Sequence, residues 1–312
     1  MRVAAAQVRS PWMDLEAGVR KVVDFVGKAA AEGVELVVFP ETFLPGYPIW
    51  LTEAGGVRFD GAKQELACAA YRELAIELTG PELRVVVECV RDHGVFTYLG
   101  IAERGPGRGT VYCTLVAIDP VAGVRGVHRK LVPTPEERLV WADGDGHGLQ
   151  VHQVGGARVG GLCCWENWMP LARHALHAQA PDLHVSVWPG STRLTGDITR
   201  FVALEGGVYS LAAGAVIDYA DVPAGFPLRD EILAARQSSP YDGGSAIAGP
   251  NGRWIVEPVK DEERLVIADI DPAVVRGARR ELDPTGHLSR PDVFQLTVDR
   301  RRLISATSLD RL

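Results

Sequence analysis

Several features that would indicate a membrane protein, a disulfide-rich protein or a serine hydrolase are missing from this sequence. No run approaches about 18 uninterrupted apolar residues, so no segment is predicted to span a membrane. The five cysteines are an odd number without a C-x-x-C pair, which argues against a disulfide framework and a cysteine zinc site. A G-x-S-x-G motif is also absent, so a serine α/β-hydrolase is not expected.

Positive charge is scarce as well, which limits the range of partners. The 312 residues carry a formal net charge of −7. Nucleic-acid binding requires a clustered Lys/Arg surface, whereas the only dense basic clusters are short, at 279–280 and 300–302, and are interpreted as solvated. The amino-terminal apolar run ends too early, before Pro11, to be a signal peptide. We therefore expect a cytoplasmic protein, in the reducing compartment that suits free cysteines.

Short apolar runs alternate with segments of helical periodicity along the chain. Strands are predicted at 2–8, 35–40, 95–102, 111–118, 159–164, 183–188 and 265–270, and helices at 15–32, 64–79, 168–180 and 196–209. This alternation favours an α/β protein with a mixed sheet. We expect one catalytic domain over residues 1–285 and a tail over residues 286–312. The long polar segment 217–243 is expected to be a functional or mobile loop.

Three other patterns have simple structural interpretations. The glycine-rich segment 105–109 could bind phosphate, but no helix is predicted after it, as a dinucleotide fingerprint requires. We interpret it as a hairpin turn, and Asn251-Gly252 predicts a second hairpin. His174 and His177 share a predicted helix face, yet no carboxylate or thiolate lies at a recognisable ligand spacing. No metal site is therefore expected.

Two charged side chains lie directly after predicted strands. Glu41 follows a buried strand among prolines and aromatic residues, and an apolar wall of this kind would raise its pKa, as a general base requires. Lys130 lies in the segment 128–138, which we interpret as following a further apolar strand outside the bounds given above, and a fixed cation there could stabilise a developing anion. Taken alone, each is equally compatible with an ordinary charged loop.

Two adjacent cysteines, Cys163 and Cys164, end a third strand where a helical turn begins. The positive field of a helix N-terminus would lower the pKa of a thiol there. Adjacent strand residues point to opposite faces, so at most one of the two thiols can face a pocket, and both could instead be core residues. A thiol, a carboxylate and a lysine at strand ends together indicate covalent catalysis, with a glutamate in place of histidine as the base.

The order of these motifs resembles that of the nitrilase superfamily, and of its nitrilase branch in particular. The matching segments are Phe39-Pro40-Glu41, Leu44-Pro45-Gly46-Tyr47-Pro48, HRKLVPTPEER at 128–138, CWENWMP at 164–170, ALEG at 203–206, GGS at 243–245, PNG at 250–252 and RPDVF at 290–294. The resemblance extends over roughly residues 2–298. Cysteine followed by Trp-Glu is the nitrilase-branch form, and it selects Cys164 over Cys163.

The resemblance implies an αββα four-layer sandwich with two mixed sheets. The catalytic residues that it implies are Glu41, Lys130, Cys164 and Glu137, the last as a supporting carboxylate in preference to Glu136. The expected substrate-binding residues are Tyr47, Trp165, Trp188 and Pro189. The segment 186–196, with Arg193 and Arg200 near it, differs among nitrilase subgroups and is expected to line the pocket.

The implied function is hydrolysis of a small-molecule nitrile to the carboxylic acid and ammonia, through a cysteine thioimidate and thioester. The family uses no metal or organic cofactor, and it forms homodimers or larger homo-oligomers, with the tail expected at the interface. Neither nucleic acid nor a membrane is expected as a partner. Two alternatives remain open: an amidase or nitrile-to-amide hydratase that uses the same site, and a catalytically silent binding protein.

Overall fold

The computed structural model describes residues 1–55, 61–107, 109–235 and 239–303. The strands are β1 (Arg2–Gln7), β2 (Leu36–Val38), β3 (Phe96–Arg104), β4 (Val111–Asp119), β5 (Gly123–Arg129), β6 (Val151–Val154), β7 (Ala157–Cys163), β8 (Leu183–Trp188), β9 (Tyr209–Gly214), β10 (Ala246–Ala248), β11 (Trp254–Val256) and β12 (Arg264–Asp269). The helices are α1 (Leu15–Ala31), α2 (Trp50–Glu53), α3 (Ala62–Glu73), α4 (Pro81–His93), α5 (Pro170–His177), α6 (Thr192–Gly206), α7 (Arg229–Ala235) and α8 (Pro272–Ala278).

The strands form two mixed sheets of six strands each. Their orders are β12-β1-β2-β3-β4-β5 and β11-β10-β9-β8-β7-β6. In the first sheet β1, β2 and β3 are parallel, and antiparallel strands extend it on both sides. The second sheet repeats this plan around parallel β7, β8 and β9. The site-bearing turns after β2 and β7 therefore follow parallel strands, whose carboxyl ends are where clefts form in α/β sheets.

The apolar side chains are divided between a core inside the two sheets and cores outside them. Val3 of β1 packs between the sheets, whereas its neighbour Ala4 packs with residues of α1 and α4, because successive strand residues point to opposite faces. On the second sheet, Leu176 of α5 and Val202 of α6 belong to outer clusters. The layers are helix, sheet, sheet and helix, so the αββα sandwich is confirmed.

The first helix illustrates how local sequence produces the outer layer. Asp14 accepts the Ala17 backbone N–H at 2.9 Å and caps α1. Val22, Phe25 and Val26, at helical spacing, are buried against the first sheet. Burying each such side chain contributes about 1.5–3 kcal/mol, which is why this amphipathic stripe orients the helix.

Two predicted helices have different bounds in the structure. The helix expected at 64–79 is α3, which ends at Glu73, and a separate helix, α4, starts at Pro81, a residue type favoured in the first turn. The helix expected at 196–209 is α6, which begins at Thr192 and ends at Gly206 because Gly207 adopts a φ of +54°. Strand β9 then occupies 209–214, where the sequence had predicted no strand.

Both predicted hairpins are confirmed, between β3 and β4 and between β10 and β11. The predicted loop 217–243 contains α7 and a 3₁₀ turn, Tyr219–Asp221. Residue 108 of the first hairpin turn, residues 236–238 of this loop and residues 304–312 of the tail lie outside the described residues. Among the described residues, none of the helices combines the length and the apolar character that a membrane span requires.

Candidate active site

Glu41 lies in the turn after β2 and is 1% exposed. This turn packs so closely on β3 that a Cβ added to Gly100 would lie 2.1 Å from the Pro40 carbonyl oxygen. The Glu41 backbone N–H donates to the Trp188 carbonyl of the second sheet at 3.2 Å. The missing side chain of Gly100 and this bond between the sheets together determine where the carboxylate lies.

Lys130 directly follows β5 and is also completely buried. Its backbone N–H donates to the Cys113 carbonyl of β4 at 2.8 Å. Its Nζ donates to Glu41 Oε1 at 3.2 Å and to Glu137 Oε2 at 2.7 Å. A buried ammonium is stable only when carboxylates compensate its charge, so Lys130 and the two glutamates form one electrostatic unit.

Glu137 begins a 3₁₀ turn, Glu137–Leu139, and its carboxylate oxygens accept hydrogen bonds from two donors besides Lys130. Oε2 accepts the Thr134 backbone N–H, and Oε1 accepts the Tyr47 hydroxyl, each at 2.8 Å. The side chain of Glu136 is instead exposed and lines a cavity. The structure therefore places Glu137, and not its neighbour, against the lysine.

Cys164 begins a 3₁₀ turn, Cys164–Trp168, immediately after β7. Its φ is +50°, in the left-handed region that a residue with a Cβ adopts only under strain. This bend separates the two thiols, because Cys163 packs in the core between the sheets and Cys164 lines a cavity. The geometry alone thus distinguishes two cysteines that local sequence left equivalent.

The thiol and the two carboxylates converge on one point. The Cys164 sulfur and one carboxylate oxygen from each of Glu41 and Glu137 lie within 4.8 Å of one another. Lys130 Nζ is hydrogen-bonded to both carboxylates. A thiol that lines the cavity, two buried carboxylates and an ammonium are therefore clustered together, which is an arrangement suited to covalent catalysis.

Burial dominates the acid–base properties of this cluster. Burial raises the pKa of Glu41 to about 8, with Lys130 opposing the rise and Glu137 adding to it. The two carboxylates and the Cys164 sulfur outweigh burial at Lys130 and raise its pKa, so it remains an ammonium. A carboxyl with a pKa near neutrality is suited to accept a proton and return it, as expected for Glu41.

The expectation that the helical turn lowers the pKa of the nucleophile is wrong for the resting site. Burial raises the pKa of the Cys164 thiol well above its usual value, and the carboxylate of Glu41 adds to this effect. Lys130 and the Trp165 backbone N–H lower it, but they are outweighed. Cys164 is therefore a protonated thiol at rest, so a base would have to remove its proton before the sulfur could act as a thiolate.

A cavity of about 530 Å³ opens above the thiol. Three of the four predicted substrate-binding residues line it, namely Tyr47, Trp165 and Pro189. Trp188 does not line it, since its fully buried ring packs with Cys164 in an outer core cluster. The structure therefore places Trp188 behind the Cys164 thiol and not in the cavity wall.

Other lining residues were not anticipated individually. Ser191 lies in the segment 186–196, which was expected to line the pocket, whereas Glu53 and Tyr241 come from segments without a recognisable motif. Of the two arginines noted near 186–196, Arg193 lines the cavity, whereas Arg200 donates to the Gly252 carbonyl at 2.8 Å. The cavity wall depends on which loops meet there, and this is not visible in consecutive residues.

Three buried groups of side chains have the ligand types and proximity that a metal ion needs. They are Glu41 with Cys113 and Cys163, His128 with Cys163 and Glu166, and Glu41 with Glu137 and Cys164. In the third group the Lys130 ammonium already bonds both carboxylates. A protein cation therefore occupies the position in which a metal would neutralise them.

His177, one of the two histidines that share a predicted helix face, contacts His184, with ring nitrogens 3.2 Å apart.

Comparison with known proteins decides the family. Residues 2–280 match the family model described as carbon-nitrogen hydrolase. The chain belongs to the carbon-nitrogen hydrolase family. It is 34% identical to an aliphatic nitrilase from Rhodococcus rhodochrous, over 96% of this chain and 83% of that protein. It is 36% identical to a bromoxynil-specific nitrilase from Klebsiella pneumoniae subsp. ozaenae, over 96% of this chain and 86% of that protein. The resemblance stated from the motifs is confirmed.

Solved structures of this family agree on the fold. An amidase from Nesterenkonia sp. is similar with a TM-score of 0.62 and 22% sequence identity, covering 90% of this chain and 94% of that one. At this identity the likeness concerns architecture alone. It supports the same four-layer sandwich for the carbon-nitrogen hydrolase described here.

The raised pKa of Glu41 predicts the pH dependence of this enzyme. Below about pH 8 the carboxyl holds its proton and cannot accept that of Cys164, so kcat/KM is expected to rise as pH increases through about 8. Because the thiol and carboxyl titrate together, this inflection belongs to the pair. A pH profile of initial rates checks it. An acid limb near the ordinary pKa of a glutamate, about 4.3, would contradict the role of burial.

Proposed function

We propose that this enzyme is a nitrilase, which converts a nitrile and two waters to a carboxylic acid and ammonia. The observation that carries the proposal is the convergence of Glu41 and Lys130 on Cys164, the thiol of which lines the cavity. The nitrilases among its relatives, at 34% and 36% identity over nearly the whole chain, support this choice of substrate class.

In the proposed first half-reaction, Glu41 takes the thiol proton and the Cys164 sulfur bonds to the nitrile carbon. The proton passes from Glu41 to the nitrile nitrogen, which gives a neutral thioimidate. Charge that develops on this nitrogen is stabilised by Lys130 and by the backbone N–H of Trp165. Removal of one such donor typically costs about 10²–10³ in rate.

In the second half-reaction, Glu41 removes a proton from a water that adds to the thioimidate carbon. The tetrahedral intermediate expels ammonia and leaves a thioester. A second water, activated in the same way, hydrolyses the thioester and restores the thiol. Glu137, held by Tyr47 and Thr134, keeps Lys130 in place throughout.

The product distinguishes the remaining alternatives, because amide and acid arise from the same tetrahedral intermediate. Loss of ammonia gives the acid, whereas loss of the thiolate gives the amide, as in a hydratase. An amidase would instead begin from the amide. A catalytically silent binding protein would release nothing, and the buried ion pairs around Lys130 argue against that alternative.

The test is incubation with aliphatic, aromatic and arylacetic nitriles and their amides, with acid, amide and ammonia measured separately. We expect at least one nitrile to give equal amounts of acid and ammonia. Cys164→Ala serves as the blank for contaminating activity. Turnover of amides without turnover of any nitrile would overturn the nitrilase assignment in favour of the amidase.

The proposal extends to assembly and location. We propose a homodimer or larger homo-oligomer, supported by an exposed apolar face on α6 and the turn before α5, where Phe201 and Trp168 stack with centroids 6.3 Å apart. Residues 1–285 would form the catalytic domain and 286–312 a tail at the subunit interface, supported by the 78% exposure of Phe294.

The free cysteines support a cytoplasmic location, and the negative charge argues against a nucleic-acid partner.

A further inference from the structure

A carboxylate outside the cavity connects the two segments that carry the lysine and the nucleophile. This residue, Glu166, is fully buried in the turn after β7. Its Oε1 accepts the Leu131 backbone N–H at 2.6 Å, and its Oε2 accepts that of Cys163 at 2.8 Å. Leu131 follows Lys130 and Cys163 precedes Cys164, so one side chain bonds the chain neighbours of two catalytic residues.

A third donor completes the environment of this carboxylate. His128 Nε2 lies 2.9 Å from Glu166 Oε2. An ionised carboxylate only accepts hydrogen bonds, so the proton is assigned to Nε2 of the imidazole. Burial opposes ionisation of Glu166, but His128 and the two backbone N–H groups outweigh it and hold its pKa below the usual value. Glu166 is therefore a buried anion with every contact directed at the protein.

We propose that Glu166 is a positioning residue, whose bridge between Leu131 and Cys163 sets the separation of the Lys130 ammonium from the Cys164 thiol. The inference rests on the catalytic roles proposed for Lys130 and Cys164. Both carboxylate oxygens of Glu166 accept hydrogen bonds from the protein, so it acts through these residues and not on the substrate. The turn is closed a second time, because the Cys163 side chain accepts the Glu166 backbone N–H.

Glu166 also acts on the base through space. After burial, which is the main cause, the negative charges of Glu137 and Glu166 raise the pKa of Glu41, and Lys130 opposes them. The charged or titratable groups that interact with Glu41 are Lys130, Glu137, Glu166, Tyr47, Tyr71, Cys113, Cys163 and Cys164. Removal of the Glu166 charge alone therefore lowers the pKa of Glu41, whereas a shorter carboxylate leaves the charge in place.

These two effects are separable by substitution. Glu166→Asp keeps the charge but is one methylene too short to reach both N–H groups. The test measures the rate constant for alkylation of Cys164 by iodoacetamide against pH, with the modified residue located by mass spectrometry. We expect Glu166→Asp to lower the plateau rate constant about 10²-fold, as misplacement of reacting groups does, with the inflection unchanged. Glu166→Gln should lower the rate constant and also move the inflection to lower pH.

A matched control is Asp182→Asn. Asp182 is 9% exposed and accepts the Arg158 backbone N–H at 2.8 Å, at the opposite end of β8 from the site. We expect a lower Tm for this variant with wild-type alkylation. A wild-type rate constant in folded Glu166→Asp overturns the proposal, as does an equal loss in the control. If Glu166→Gln does not fold, the aspartate variant alone decides.

The alkylation measurement needs no nitrile, so it separates this inference from the proposed function. A reactive wild-type Cys164 without turnover of any nitrile would contradict the nitrilase proposal and leave the positioning role standing. Nitrile turnover with unchanged alkylation in both Glu166 variants would contradict the positioning role alone.

Discussion

Replacement of Cys164 by alanine is expected to abolish hydrolysis while leaving the fold intact. Loss of a covalent nucleophile typically lowers kcat by more than about 10⁴-fold. The fold should survive because alanine also carries a Cβ, so the backbone strain at φ +50° does not change. Only one sulfur atom is lost. Product formation and thermal unfolding of the purified variant measure the two effects.

The neighbouring cysteine provides the control for this substitution. Cys163 is equally buried, but its thiol packs between the sheets. Cys163→Ala should leave a small cavity and cost about 1 kcal/mol of stability, while most of the activity is retained. If Cys163→Ala were inactive and Cys164→Ala active, the assignment of the nucleophile would be reversed.

Replacement of Lys130 by methionine should have the second-largest effect on turnover. Without the ammonium, Glu41 and Glu137 become two buried carboxylates without a cation between them. We expect kcat to fall about 10³-fold, since the donor to the developing anion is lost. We also expect a loss of about 3–5 kcal/mol in the free energy of unfolding, because a buried ion pair is broken. Steady-state kinetics and denaturant titration measure both.

Arg129→Met separates stability from catalysis at the adjacent position. Arg129 forms its own buried ion pair, donating to both oxygens of Glu103. Its side chain points to the opposite face from that of Lys130, because successive side chains along an extended strand point to opposite faces. We expect a similar destabilisation of about 3–5 kcal/mol with kcat changed far less than in Lys130→Met. Equal losses of kcat in folded samples of the two variants would assign Lys130 a structural role only.

The parts of the fold that local pattern predicted are those with a strong period of their own. Helix α1 and strands β1, β3, β4 and β8 were predicted close to their observed bounds, because their apolar spacing is unbroken. Helix α4 and strand β9 were missed. Only residues 207 and 208 separate β9 from α6, and a short apolar run is compatible with either helix or strand. No pattern in the sequence was assigned to residues 81–93, where α4 lies.

The candidate site also contains residues that local sequence could identify and residues that only the tertiary structure revealed. Glu41, Lys130 and Cys164 could be selected because each stands in a motif directly after a strand. Glu166 lies within such a motif, yet nothing in the sequence indicated that it contacts Leu131, which lies in a different segment. Trp188 was expected at the substrate but packs behind the thiol, because strand register and not residue type decides which face it occupies.

By itself, the sequence determined the family, the resemblance to which implied the layer order, and the types of residue that can react. These follow from the order of motifs and from periodicity, which are properties of consecutive residues. Only the tertiary structure decided the state of the thiol, the separation of Cys163 from Cys164 and the bridging position of Glu166. These depend on burial and on distances between segments far apart in the chain, so they exist only once the two sheets have packed together.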